Sequence, residues 1–212
     1  MAEDLIFYTN PMSRGRIVRW MLEEVGQPYR TELLEFGTTM KSPGYLAFNP
    51  MGKVPTVIHK GTVVTEAAAI CAYLADAFPE AGLAPPPGDR RRGPYYRWMF
   101  FAAGPVEAAV SNKALGFEIP DERRGMVGYG GMEDVVNALE YAVTQSDYIA
   151  GERFSAADVY VGSQIGWGMM FGTLGKRPAF EAYWQRIASR PAAIRAREID
   201  DALVAERKQS AG

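Results

Sequence analysis

The sequence predicts an α/β domain with a small four-stranded mixed sheet, followed by a domain built only of helices. Three observations carry this prediction. Residues 5–78 have the pattern strand, helix, strand and then strand, strand, helix, an order that packs helices against a mixed sheet. Three consecutive prolines at 85–87 favour a stiff, extended linker. Beyond residue 93, apolar residues recur at helical spacing with almost no strand signal.

The first βαβ unit is predicted over residues 5–34. The apolar run at 5–8 has the length of a strand, and Asn10-Pro11 closes it. From Ser13 onward, apolar residues recur at helical spacing until Gly26 and Pro28 end the helix. Residues 29–34 then alternate polar and apolar side chains, as a second strand does.

A hairpin and a helix complete the first domain. The β-rich runs at 56–59 and 62–65 are separated by Lys60-Gly61, a compact turn that predicts antiparallel pairing. A helix is predicted from Glu66 to Phe78. We therefore assign residues 1–80 to the α/β domain, 81–92 to the linker and 93–212 to the all-α helical bundle.

Five stretches of the second domain have helical periodicity, at 94–115, 132–144, 155–171, 179–189 and 191–206. Ser155 and Asp158 have the spacing of a capping box. Aspartate replaces the more usual Glu or Gln, but its shorter side chain can still reach back to the N–H of Ser155.

Composition limits the possible functions. The chain has 212 residues, 48% of them hydrophobic, with 23 Lys and Arg against 25 Asp and Glu, so no overall field attracts nucleic acid or a membrane surface. One cysteine and one histidine exclude an intramolecular disulfide and argue against a zinc site, so no metal is expected. Cys71 lies in an apolar helical run and is predicted to be a buried core residue.

The chain is predicted to be cytoplasmic. Its first residues, Met1-Ala2-Glu3-Asp4, are acidic and lead directly into a strand, without a basic segment and long apolar run. No stretch approaches the roughly 18 apolar residues of a membrane span.

A ligand cradle is predicted at Val54-Pro55. A proline at the start of a strand removes no ladder hydrogen bond, so the backbone here is an edge on which a peptide can lie. A thiol peptide alongside Val54 can pair with its N–H and C=O, while Glu66 at a helix start can hold a ligand ammonium group. The pattern indicates a site for a peptide thiol.

The loop after the first strand supplies hydrogen-bond donors. The first strand is central in this layout, so the loop from Tyr8 to Arg14 lies beside the proline step. Tyr8, Thr9, Asn10 and Ser13 can each donate to a thiolate. One donor and the positive end of a helix dipole lower a thiol pKa from about 8.5 towards neutrality, without a metal or a general base.

Together these segments resemble the cytosolic glutathione transferases of bacterial type. The resemblance rests on Phe7-Tyr8, residues 14–24, residues 49–55, residues 66–76, the proline linker and residues 151–158. It implies a thioredoxin-like N-terminal domain, an all-α C-terminal domain, a homodimer, and glutathione as co-substrate bound mainly by the first domain. It also implies a transferase acting in detoxification.

The resemblance assigns the cradle residue by residue. It implies that Pro55 is cis, that Val54 pairs with the cysteinyl part of glutathione, and that Glu66 and Ala67 hold the γ-glutamyl end. Lys53 is either a solvated loop charge or a partner for the glycyl carboxylate. The family usually has serine where this chain has Ala67, so one hydrogen bond is lost and glutathione binding is expected to be weaker.

The group that stabilises the thiolate has three candidates. Counting back from Arg14, Asn10 occupies the position where some serine-type classes of the family have their serine. Counting forward from the strand, Tyr8 matches the tyrosine type and Ser13 the cysteine type. We favour Ser13 because it lies at the helix start, where it is also a natural helix N-cap. The class within the family stays open.

The resemblance implies conjugation of the glutathione thiolate to a small hydrophobic electrophile. It places the acceptor pocket against the first helix of the second domain, between Tyr96 and Glu107. Two alternatives remain on the same fold. One is a glutathione-dependent reductase, dehalogenase or isomerase, and the other is a non-catalytic binding protein.

Overall fold

A computed structural model describes residues 4–210. Residues 1–3 and 211–212 lie outside the described part, so most of the acidic terminus that led us to predict a cytoplasmic protein is among them. Across residues 4–210, none of the helices combines the length and the apolarity needed to cross a membrane.

Four strands form one mixed sheet in the order β2-β1-β3-β4. The strands are β1 (Leu5–Thr9), β2 (Arg30–Leu33), β3 (Thr56–His59) and β4 (Thr62–Thr65). β2 runs parallel to β1, whereas β3 is antiparallel to both β1 and β4. The predicted four-stranded mixed sheet is confirmed, and β1 is one of its two central strands.

The helices follow the predicted stretches closely. Three accompany the sheet: α1 (Gly15–Val25), the short α2 (Pro43–Leu46) and α3 (Ala67–Ala77). The others are α4 (Arg92–Phe101), α5 (Glu107–Ala114), α6 (Met132–Gln145), α7 (Ala156–Phe171), α8 (Pro178–Ala188) and α9 (Pro191–Ser210). The second part of the chain is therefore helical, as predicted.

The β3–β4 hairpin has the two-residue turn expected from the sequence. Lys60 has φ 50° and Gly61 has φ 81°, the left-handed pair that matches the twist of the flanking strands. The turn fixes the register, in which Thr56 pairs with Thr65 and His59 with Thr62.

The predicted helix over 94–115 is interrupted. Residues Ala102–Val106 form a π-helical turn between α4 and α5, and Pro105 lies within it. Proline has no N–H to donate to the regular helical ladder, so the hydrogen-bond pattern must change at this position. Phe100, one turn earlier, is 72% exposed.

The chain divides into two compact units that differ from the predicted domains. Residues up to Leu83 group with those from Ser189 onward, and Ala84–Ala188 form the second unit. The predicted division at 80, 92 and 93 had placed α9 with the other helices. The structure groups α9 with the sheet because it packs along α1.

Arg19 is the central charge of the α1–α9 interface. It is 2% exposed, and its Nε donates to Asp200 Oδ1 at 3.0 Å. Its Nη1 donates to the Tyr29 hydroxyl at 3.2 Å and to Thr31 Oγ1 at 3.0 Å. The guanidinium carbon lies 5.1 Å from the centre of the Phe7 ring. Within the described residues, Arg19 Nη2 and Asp200 Oδ2 have no hydrogen-bond partner.

The second unit is built around α7, most of which is buried. α8 packs closely on it at Gly162, where an added Cβ would lie 2.1 Å from Ile187 Cδ1. With Ile187 in this rotamer, only a residue without a side chain permits the approach, because non-bonded carbon contacts are near 3.5–4 Å.

Asp158 at the start of α7 is fully buried and accepts four hydrogen bonds. Its Oδ2 accepts from the N–H of Ser155 at 2.9 Å and from the Ser155 hydroxyl at 3.0 Å. Its Oδ1 accepts from the N–H of Ile149 at 2.8 Å and from the Tyr183 hydroxyl at 2.9 Å. The predicted reach of Asp158 back to the cap N–H is confirmed. Burial outweighs these bonds and raises its pKa to about 6.

Candidate functional site

The register of the sheet brings the three predicted segments of the site to one end. Tyr8 pairs with Thr56, and Thr56 pairs with Thr65. The residues after β1, those before β3 and those after β4 therefore lie side by side. The loop at 10–14, the Val54-Pro55 step and Glu66 meet there, and α1 and α3 both begin at this end.

Asn10 organises the loop from within. It is 1% exposed, its Nδ2 donates to Leu34 O at 2.7 Å, and its Oδ1 accepts from the N–H of Met12 at 2.9 Å. Its carbonyl accepts from both the N–H and the hydroxyl of Ser13. Both polar atoms of the buried Asn10 side chain therefore already have partners within the protein.

Ser13 lies just before α1 and is half-buried. Its hydroxyl donates to Asn10 O at 2.6 Å and accepts from the N–H of Gly15 at 3.0 Å. The helix itself starts at Gly15, with Arg14 in the cap position. Ser13 therefore satisfies one of the N–H groups that the helix start leaves unpaired. Rotation about one bond would redirect its proton, while Asn10 O keeps the bond from the Ser13 N–H.

Tyr8 lies on the face of β1 opposite the buried Phe7. Its ring is 5.6 Å from the ring centres of both Tyr45 and Phe48. Over residues 4–210, its hydroxyl has no hydrogen-bond partner. Tyr8 therefore packs at the strand end, and its hydroxyl remains available.

The Val54-Pro55 peptide bond is cis, as the resemblance implied. The carbonyl just before it, that of Lys53, accepts from the Tyr45 hydroxyl at 2.5 Å and from Asn49 Nδ2 at 2.8 Å. Burial raises the pKa of Tyr45, so its hydroxyl stays protonated and able to donate. The Lys53 ammonium is exposed and forms no ion pair in the described part of the chain.

Gly52 is required by its surroundings. It has φ 56°, and an added Cβ would lie 2.7 Å from the carbonyl oxygen of Met40. A side chain at this position would therefore meet both a strained backbone and a steric clash.

Glu66 precedes α3 in an unusual conformation, with φ 66° and ψ 119°. Such a backbone in a residue other than glycine persists only where surrounding structure enforces it, and it often marks a ligand site. Glu66 is exposed and its side chain does not cap the helix. Ala67 follows as the first residue of α3 and is buried. The first N–H groups of α3 lack carbonyl partners within the helix.

Sequence reasoning missed two supports of this site. Tyr45 and Asn49 hold the Lys53 carbonyl, and Arg16 contacts the loop through a 2.6 Å hydrogen bond from its Nε to Pro11 O. From the sequence, Asn49 is only part of the stretch 49–55 that carries the family resemblance and has no role of its own. The signal that could have found Asn49 is its place four residues before Lys53, since asparagine side chains commonly bond to nearby backbone in turns.

Comparison with known proteins agrees with this geometry. A family model described as the N-terminal domain of glutathione S-transferase matches residues 12–77, and one described as the C-terminal domain matches residues 129–191. Glutathione S-transferase GstA of Escherichia coli O157:H7 is 30% identical over 164 residues, which are 76% of this chain and 78% of that protein. The chain belongs to the glutathione transferase family.

Solved structures of this family have the same fold. A glutathione transferase from Methylococcus capsulatus str. Bath matches with a TM-score of 0.77 at 28% identity, over 93% of this chain and 98% of that one. A sphingomonad glutathione S-transferase complexed with glutathione matches with a TM-score of 0.73 at 27% identity, over 92% and 98%. The predicted thioredoxin-like domain followed by a helical domain is thereby confirmed.

Proposed function

We propose that the protein is a glutathione S-transferase that conjugates glutathione to a small hydrophobic electrophile. The observation that carries the proposal is the meeting of the Ser13 loop, the Val54-Pro55 step and the start of α3 at one end of the sheet. Glutathione is the co-substrate. Val54 pairs with its cysteinyl backbone, and Glu66 with the α3 N–H groups, Ala67 included, holds the γ-glutamyl end. Lys53 attracts the glycyl carboxylate.

Ser13 is the proposed donor to the thiolate. Its hydroxyl is half-buried at the start of α1, where the helix dipole favours negative charge. Asn10 is buried, and both its Nδ2 and its Oδ1 form hydrogen bonds, so we propose that it stabilises the loop. Tyr8 is the remaining alternative, because its hydroxyl is available.

An exposed apolar surface of the second unit supports a hydrophobic acceptor. Tyr96, Phe100 and Ala103 are exposed at helical spacing along α4 and the π-helical turn. These residues lie within the stretch from Tyr96 to Glu107 that the resemblance connects with the acceptor.

Chemistry through a protein thiol has no support at this site. The loop at 8–14 contains no cysteine, and Cys71, the one cysteine of the chain, is fully buried in α3. Burial raises the pKa of its thiol, so it stays protonated and unreactive. Reduction, dehalogenation or isomerisation by glutathione itself would use the same thiolate. The acceptor that is consumed distinguishes these reactions from conjugation.

We further propose that the enzyme is a cytoplasmic homodimer without nucleic-acid or membrane partners. The family resemblance supports the dimer, and the balanced charge supports the absence of such partners. Sedimentation of the purified chain checks the assembly, for which twice the mass of the 23.4 kDa chain is expected.

Substitution of Ser13 by alanine is expected to lower the turnover of a chlorinated nitroaromatic by about ten- to a hundredfold, because a donor to the developing thiolate is lost. Glutathione binding, measured by calorimetry, is expected to stay within about threefold, because the backbone cradle is unchanged. Tyr8→Phe removes only the hydroxyl of the alternative donor and is measured beside Ser13→Ala, with unchanged turnover expected if Ser13 is the donor.

The outcome of this pair assigns the donor. If Tyr8→Phe carries the loss and Ser13→Ala does not, Tyr8 stabilises the thiolate. If Asn10→Ala alone lowers turnover while the fold is intact, Asn10 does. A parent protein that binds no glutathione at millimolar concentration would refute the transferase proposal, and binding without turnover of any acceptor would favour the non-catalytic alternative.

Substitution of Ala67 by serine is expected to tighten glutathione binding by about tenfold, because a hydroxyl bonded to the γ-glutamyl carboxylate contributes about 1–3 kcal/mol. Calorimetric titration measures the change. Ala69→Ser places the same hydroxyl at an exposed position of the same helical turn and is expected to leave the affinity unchanged. Equal affinities of the parent and Ala67→Ser would contradict the placement of the γ-glutamyl end.

A further inference from the structure

Two neighbouring aspartates of α9 hold two arginines of α1. Asp200 pairs with the buried Arg19, and Asp201 Oδ1 lies 2.8 Å from Arg16 Nη1. Arg16 also contacts the loop, because its Nε donates to the carbonyl oxygen of Pro11 at 2.6 Å. One guanidinium group therefore connects the last helix to the loop that precedes α1.

The contact fixes the Pro11–Met12 peptide group, which is separated from Ser13 by one residue. The carbonyl of the Pro11–Met12 peptide accepts from Arg16, and its N–H, that of Met12, donates to Asn10 Oδ1. Because a peptide group is planar, hydrogen bonds at both of its ends determine its orientation. Ser13 follows Met12 directly, and its N–H and hydroxyl are both bonded to the Asn10 carbonyl, so Arg16 and Asn10 together hold the short segment that carries the hydroxyl.

We propose that Asp201 and Arg16 position the thiolate loop, so that α9 takes part in activating glutathione. The inference rests on the proposed function. Arg16 and Asp201 are positioning residues, since they act through Pro11. Without Arg16, only the Met12 N–H of this peptide group stays bonded, so the Pro11 carbonyl can turn and its negative oxygen then opposes a thiolate at the loop.

The geometry of the guanidinium, more than its charge, carries this role. The Arg16 side chain is 28% exposed and that of Asp201 59%, and an ion pair this accessible to water contributes little stability by itself. Arg16 uses two different nitrogens in two directions, towards Pro11 O and towards Asp201. A lysine at this position keeps the charge but has one ammonium group in place of the planar fork.

The same interface offers a matched control. Arg195 of α9 pairs with Glu23 of α1, with 3.2 Å between Nε and Oε2. This pair also joins α9 to α1, with Arg195 exposed and Glu23 half-buried, but it does not contact the loop at 10–14. Arg195→Ala therefore reports what a lost α1–α9 ion pair does by itself.

The experiment compares Arg16→Ala, Arg16→Lys, Asp201→Ala and Arg195→Ala with the parent. The thiol pKa of bound glutathione is read from the ultraviolet absorbance of the thiolate as pH is raised, and turnover is measured over the same range. Arg16→Ala is expected to raise that pKa by about one unit and to lower turnover about tenfold at neutral pH, with turnover recovering at alkaline pH. Arg16→Lys is expected to resemble Arg16→Ala, Asp201→Ala to be intermediate and Arg195→Ala to match the parent.

Hydrogen exchange of the protein without glutathione gives a readout independent of activity. The amides of Met12 and Ser13 are expected to exchange about tenfold faster in Arg16→Ala than in the parent and to be unchanged in Arg195→Ala. The positioning role would be overturned if the parent and Arg16→Ala are both active and have the same thiol pKa. It would also be overturned if Arg195→Ala lowers turnover as much as Arg16→Ala does. Full rescue by Arg16→Lys would assign the effect to charge. Absence of glutathione binding by the parent would instead refute the proposed function.

Discussion

Substitution of Asp158 by alanine is expected to lower the free energy of unfolding of the helical unit by about 4 kcal/mol. Four donors, from Ile149, Tyr183 and Ser155 twice, would lose their acceptor in a buried position. Each buried donor left unpaired costs about 1–3 kcal/mol, and partial relaxation reduces their sum. Urea unfolding followed by circular dichroism measures the loss.

Asp134 supplies the control. It occupies the equivalent third position of α6, where its Oδ2 accepts from the N–H of Gly131 at 2.9 Å on an exposed surface. Asp134→Ala is expected to cost about 1 kcal/mol or less, as surface caps do. Similar losses for the two substitutions would show that burial of the Asp158 network contributes nothing beyond an ordinary cap.

The stability that is lost in Asp158→Ala also depends on pH, and its direction follows from the pKa of Asp158. Its pKa is about 6 when folded against an ordinary 3.8, so between these values the folded chain holds a proton that the unfolded chain releases. The stability contributed by this carboxyl is therefore greatest below about pH 4 and declines as pH rises to about 6. The difference between the parent and Asp158→Ala is expected to be larger at about pH 5 than at about pH 7.

Substitution of Arg19 by methionine is expected to destabilise the sheet unit by about 3–5 kcal/mol, because it leaves the Asp200 carboxylate buried without its counter-charge. Asp200 is 1% exposed, and burial already raises its pKa while Arg19 acts to lower it. Denaturant unfolding with a probe in the sheet unit measures the loss.

Replacement of both partners, Arg19→Met with Asp200→Leu, is expected to recover most of that stability. A buried ion pair with unsatisfied atoms is often no more stable than an apolar pair of similar volume, and here Arg19 Nη2 and Asp200 Oδ2 lack partners in the described structure. A double variant as unstable as Arg19→Met would mean that the pair contributes through hydrogen bonds to Tyr29 and Thr31 that no apolar packing replaces.

Local patterns predicted the sheet almost residue by residue. β3 and β4 lie at the predicted positions, since alternation around a two-residue turn determines both strands and their pairing. The convergence of Ser13, Val54 and Glu66 followed from the same order of elements. Each strand and helix is determined by neighbours in sequence, and their order along the chain then determines which segments meet, which is why the sequence alone reveals these features.

The features that local patterns did not predict involve contacts between residues distant in sequence. The grouping of α9 with the sheet depends on its packing along α1, which brings together pairs such as Arg19 and Asp200, 181 positions apart, that no local periodicity indicates. The engagement of the Ser13 hydroxyl by Asn10 and the support of the Lys53 carbonyl by Tyr45 depend on how loops fold in space. The cis bond before Pro55 came from family resemblance, because composition and spacing carry no signal for it.

The grouping of α9 with the sheet has a consequence for how the chain is made. During synthesis the sheet, α1 and α3 emerge first, then the entire helical unit, and α9 after it. Until α9 arrives, Arg19 has no counter-ion and the surface of α1 that α9 covers is open to water. The first unit to be synthesised is thus the last to be completed.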